Sequence, residues 1–82
     1  MPPTKISSIR EIEKRRGAEL VKITEKITDA ERRLEALREE RDSLVTAWAD
    51  DGMTVAAMAE ALGLTRQAVY GWIERQRRRE AS

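Results

Sequence analysis

Arg66, Gln67 and Tyr70 fall within one short run, RQAVYG, and Gly71 follows them directly. Their polar heads suit flat, hydrogen-bonding edges. A glutamine carboxamide pairs bidentately with N6 and N7 of adenine, and an arginine either reaches guanine or clamps a phosphate. The Tyr70 hydroxyl suits phosphate oxygens, as do those of Thr54 and Thr65, each of which stands where a helix would begin and backbone amides attract anions. Arg75 opens a further run with Arg77, Arg78 and Arg79, opposed only by Glu74 and Glu80. Together these types and spacings fit a surface that meets double-stranded DNA. A blander reading stays open at this point, a solvated helix end whose arginines complement the helix dipole.

Positioning these groups requires two short helices and a sharp corner. Val55, Met58, Ala59 and Leu62 have the spacing of one buried stripe, and Leu64, Val69, Trp72 and Ile73 form a second. Gly63 lies between them. It supplies the left-handed backbone that ends the first helix, while Thr54 and Thr65 cap the two helix starts. The small Ala59 lets the second helix cross closely, with Val69 and Trp72 closing the wedge. The pattern is that of a helix-turn-helix unit. An ordinary helical hairpin would use the same apolar residues as core, but the polar outward face at Arg66, Gln67, Tyr70 and Gly71 favours the DNA-reading form.

The rest of the chain bears on what this unit is attached to. With 82 residues, one small domain is the upper bound, and 38% charged against 4% aromatic residues points to an all-α, helix-rich protein. There is no Cys and no His, which removes disulfides, the usual zinc sites and any His-activated nucleophile. Asp50 and Asp51, before Gly52, read as a solvated turn, since no third oxygen ligand stands at motif spacing. No enzyme activity, cofactor, metal or small-molecule ligand is expected. Nor is there a secretory h-region or an apolar run of membrane-spanning length, so a cytoplasmic, nucleoid-associated protein is expected. The net charge of +1 decides little, because its distribution matters more than its sum.

Residues 1–7, with two prolines, are expected to be extended and flexible. Ser8 and Glu11 have capping-box spacing, which predicts a helix start near Ile9. From there to Ala49 no proline occurs. Leu20, Ile27, Leu34, Arg41 and Trp48 then repeat at heptad a positions, with Ile23, Ala30, Leu37 and Leu44 at d. One helix over 8–49 would be roughly 60 Å long at about 1.5 Å per residue, and it cannot bury its own stripe. A homodimeric coiled coil through Leu20, Ile23, Ile27, Ala30, Leu34, Leu37 and Leu44 is expected in preference to a hairpin broken near Gly17 or Asp29. The charges do not choose between parallel and antiparallel strands. Met53 and Met58 form a hydrophobic staple around Thr54, and Leu44, Val45 and Trp48 are expected to cover the two motif helices. The long helix would thus end inside a tri-helical unit spanning 44–79, followed by a tail, 80–82.

Residues 44–73, LVTAWADDGMTVAAMAEALGLTRQAVYGWI, resemble the C-terminal helix-turn-helix domain of serine resolvases and DNA invertases. The resemblance covers about a third of the chain. It implies that the second motif helix lies in the major groove, that Arg66 and Tyr70 hold the DNA, and that Gln67 reads a base. Gly71 departs from the family, which often has Arg or Lys there; this implies weaker or broader specificity. The recombinase catalytic domain lies outside the resemblance, so strand exchange is not implied. Regulators of the MerR type also pair such a motif with a coiled coil, in the opposite chain order. The expectation is a dimeric, sequence-selective binder of double-stranded DNA, most simply a transcriptional regulator. An architectural, bridging or segregation role is the near alternative, and a coiled-coil interaction module without DNA binding the more distant one.

Overall fold

A computed structural model describes residues 4–82, with side chains from residue 8 onward. It contains three helices, α1 (Thr4–Asp50), α2 (Val55–Leu62) and α3 (Arg66–Ala81), and no strand among the described residues. The chain divides into two compact units, Met1–Arg33 and Leu34–Ser82.

The first unit is a stretch of α1 without a core. From residue 8 to residue 33 nothing is buried, and the apolar seam stands open, with Leu20 67%, Ile23 53% and Ile27 52% exposed. Helix α1 begins at Thr4, earlier than the expected start near Ile9. Ser8 therefore lies inside the helix, and residues 4–7 are helical instead of extended; residues 1–3, also expected to be extended, lie outside the described residues. The reason is local. Between Thr4 and Gly17 no proline or glycine interrupts helix propagation, so a Ser-x-x-Glu spacing there is a pair of helix-surface residues.

The second unit holds the core. Val45 from the end of α1, Met58 and Ala59 from α2, and Val69 and Ile73 from α3 are buried together, with Ala49, Val55 and Trp72 packed against them. Val69 is wholly buried. Its position agrees with the expected wedge, and Ala59, at 3% exposure, is the small residue that lets α2 and α3 approach.

Two corners of the same design shape this unit. At the first, the Gly52 amide donates to the Ala49 carbonyl at 3.1 Å and the Met53 amide to the Trp48 carbonyl at 3.0 Å. At the second, Gly63 donates to Glu60 at 3.2 Å and Leu64 to Ala59 at 3.0 Å. Each is a Schellman closure, which needs a left-handed residue, and the glycines supply φ of 105° and 66°. Each leads to a threonine cap. Thr54 Oγ1 accepts from the Ala57 amide at 3.1 Å, and Thr65 Oγ1 accepts from the Ala68 amide at 3.2 Å.

Three expectations about burial need correction. Leu44 and Trp48, expected to cover the motif helices, are 42% and 47% exposed. The covering face of α1 is instead Asp42, Val45 and Thr46, with Ala49 half-buried, a stripe at i, i+3, i+4 and i+7. Leu62, on the α2 stripe, is 51% exposed because it lines an open apolar hollow with Leu44, Trp48, Met53, Met58 and Ala61. Leu64 is 48% exposed because it closes the second corner and precedes α3. Met53 and Met58 line that same hollow, as a hydrophobic staple requires.

Candidate nucleic-acid interface

Helix α3 presents opposite faces to core and solvent. Val69 and Ile73 are buried and Trp72 is half-buried, while Arg66, Gln67, Tyr70 and Glu74 are exposed. Tyr70 is 54% exposed, far more than a tyrosine held for packing would be. Arg66, Gln67 and Tyr70 thus share the solvent face of the first turns, where amides not yet used by the helix face outward. Gly71 lies beside them, half-buried. A Cβ built on it would meet nothing within 4 Å, so no packing inside the chain requires glycine there.

Thr54 and Thr65 stand at the starts of α2 and α3 and are exposed. Their oxygens are occupied as acceptors by the caps, which leaves each hydroxyl proton free to donate to an anion such as a phosphate oxygen. Each helix start thus combines a hydroxyl donor with the positive end of a helix dipole.

The arginines of α3 divide into two sets. Arg77 Nη2 donates to Asp50 Oδ1 at 3.2 Å, and Arg79 Nη1 donates to Asp42 Oδ2 at 3.1 Å. Arg75, expected on the DNA surface, has Nη1 3.9 Å from Asp42 Oδ2, and its side chain is still 47% exposed. It is placed between the two tasks. Arg66 and Arg78 make no ion pair within 4 Å among the described residues.

The residue that sequence reasoning missed is Asp42. Its side chain is wholly buried, and its two oxygens serve Arg41 (2.9 Å), Arg79 (3.1 Å) and Arg75 (3.9 Å). The cations around this buried carboxylate offset the cost of burying it, and through Arg79 and Arg75 it ties α3 to α1. Arg41 completes the tie, with its guanidinium carbon 3.8 Å from the centroid of the Trp72 ring. Thr46, one turn on, donates from Oγ1 to the Asp42 carbonyl at 2.7 Å. The signal was present in the spacing of Asp42, Val45, Thr46 and Ala49, but the stronger heptad seam on the same helix masked it.

The seam residues assigned to dimerisation in this unit, Leu34, Leu37 and Leu44, are 46%, 60% and 42% exposed. Ala30, Leu20, Ile23 and Ile27 are exposed as well. No helix among the described residues is long and apolar enough to cross a membrane.

A protein-family model described as a helix-turn-helix domain matches residues 40–80, which is half of the chain. The matched stretch takes in the end of α1, all of α2 and nearly all of α3. It bears out the helix-turn-helix reading and says nothing of resolvases or invertases in particular. No curated protein and no solved structure matches the chain.

Proposed function

The chain belongs to this helix-turn-helix domain family, and from that premise we propose a non-enzymatic, dimeric protein that binds double-stranded DNA selectively by sequence. The simplest such protein is a small cytoplasmic, nucleoid-associated transcriptional regulator. Helix α3 enters the major groove with Gln67 on adenine, Arg66 on guanine or phosphate, and Tyr70, Thr54 and Thr65 on phosphates. The observation that carries the reading is the division of α3 into a buried apolar face and an exposed face bearing Arg66, Gln67 and Tyr70 at its start.

Dimerisation is supported by the open seam. A helix with apolar residues at a and d positions and none of them covered has an unfavourable apolar surface, which a second copy would remove from water at roughly 25 cal/mol per Å². In a parallel pair Arg41, at an a position, faces its own copy. In the folded chain that guanidinium is drawn onto the Trp72 ring and the Asp42 carboxylate, which turns it aside and offsets part of its charge. In the parallel pair the two heads share one end and read half-sites about one helical turn, about 34 Å, apart.

Selection of bound duplexes from a random library with the full-length protein tests the proposal. An enriched inverted repeat with that spacing is the expected result. Absence of retention at low salt would overturn it and leave the coiled-coil interaction module, whose support is the same open seam. Retention without enrichment would favour the architectural role. Replacing Arg66 and Gln67 together by Ala should weaken duplex affinity and lower the slope of its salt dependence by about one, the charge lost with Arg66.

A further inference from the structure

Gln67, Glu74 and Arg78 run along the centre of the exposed face of α3. At about 100° per residue, Gln67 and Glu74 lie seven positions and therefore about 20° apart, one above the other. Arg66, Tyr70 and Arg77 flank this line on one side and Gly71 and Arg75 on the other, while Arg78, about 20° from Gln67, continues the line toward the C-terminus. Arg66 at one margin and the half-exposed Arg75 at the other, with a carboxamide and a carboxylate between them, match the order in which a major groove presents itself, phosphates at its two walls and base edges along its floor.

A solvated surface glutamate would be expected to take the arginines at i+3 and i+4. Glu74 does not. Arg77 turns to Asp50 at 3.2 Å, and among the described residues Glu74 makes no ion pair within 4 Å. The other acid of the helix, Glu80, accepts from Gln76 Nε2 at 3.1 Å. Between Gln67 and Glu74 on the same face sits Gly71, without a side chain and with open space where one would be.

We propose that Glu74 is a base-selecting residue, its carboxylate accepting a hydrogen bond from the N4 amino group of a cytosine. This rests on the DNA-binding reading above. Along α3 the distance from Gln67 is roughly 10 Å at about 1.5 Å per residue, or about three base-pair steps of about 3.4 Å with the helix lying along the groove. Cytosine is the base whose major-groove edge offers a donor without an adjoining acceptor, and the one that carboxylates accept from. A carboxylate facing the other edges, or a phosphate, meets acceptors only or a mixed pair.

The test compares the sites selected from a random-duplex library by the wild-type chain, Glu74→Gln and Glu74→Ala, with circular dichroism to show that all three are folded. The wild type is expected to enrich a C·G pair about three positions from an A·T pair, with roughly tenfold to a hundredfold discrimination. Glu74→Gln should move that one preference toward A·T, and Glu74→Ala should flatten it, the other positions being unchanged. Affinity of Glu74→Ala for unselected duplex should hold or rise, since a negative charge has left the face. Unchanged preferences in both variants would overturn the assignment while leaving the DNA reading intact, and so would a loss of affinity shared equally by all sequences. Failure of the wild type to retain any duplex would overturn both.

Discussion

Two stretches of one sequence, both rich in apolar residues at helical spacing, end in opposite situations. In residues 34–82 a covering stripe on α1 finds partners on α2 and α3, and five apolar side chains leave the solvent. In residues 8–33 the apolar residues are as regular, yet none is buried. Periodicity states that a face must be covered. What covers it depends on whether the chain itself returns to that face, which requires corners such as those at Gly52 and Gly63. Between Gly17 and Gly52 there is neither a glycine nor a proline. A continuous helix without a return leaves its seam exposed.

The largest effect should come from charging that seam. Ile27→Asp together with Leu34→Asp would place carboxylates at two successive a positions, and a loss of several kcal/mol in association follows from burying unpaired charge. Sedimentation velocity should show a monomer at concentrations where the proposed dimer of the wild type forms. Circular dichroism should lose a large part of the helical signal, because a helix without a covering partner is only marginally stable. An unchanged sedimentation coefficient would sink the dimer and erase the contrast between the two stretches.

A smaller effect, confined to residues 34–82, is expected from the core. Val69→Ala removes buried carbon and leaves a cavity, at about 2 kcal/mol. Asp42→Asn removes the charge that three arginines share; those arginines are 30–47% exposed and regain water, so about 1–3 kcal/mol is expected rather than the full cost of breaking a sealed pair. Both should lower the unfolding midpoint without altering association. A matching loss of dimer would show the two stretches to be one cooperative body.

The smallest effects separate the glycines. Gly63→Ala should destabilise by about 1 kcal/mol because its φ of 66° is unfavourable for a side chain. Gly71→Ala should stabilise α3 by roughly 1 kcal/mol, since it is helical and its Cβ has room. If Gly71 serves close approach to DNA, the same variant binds duplex more weakly. Affinity that rises or holds would remove that explanation for the glycine.

Much of this was legible in the sequence, for identifiable reasons. Gly63 and Thr65 have a local signature, because left-handed turns and caps depend on one residue and its neighbours. The wedge of Ala59, Val69 and Trp72 followed from spacing. What the sequence concealed was which of two stripes on α1 faces the head. Leu44 and Trp48 looked like cover, being large and apolar, while the stripe used is Asp42, Val45, Thr46 and Ala49, half of it polar. A buried aspartate is inferred only once its cations are known, and Arg75 and Arg79 lie more than thirty residues away. The placement of Arg66, Gln67 and Tyr70 on one solvent face followed from periodicity. The division of the remaining arginines into neutralised and open ones needed coordinates.

The two glycine corners and their threonine caps set the path of the backbone with bonds that involve no side chain from the solvent face of α3. That face can therefore be rewritten without renegotiating the fold. On the proposed reading, a lineage of such chains, or a designer working from this one, could change residues 66, 67, 70 and 74 and obtain new sequence preferences while inheriting an unaltered scaffold. At those four positions the side chains face solvent, so selection can act on what the face meets while the core and corners stand still.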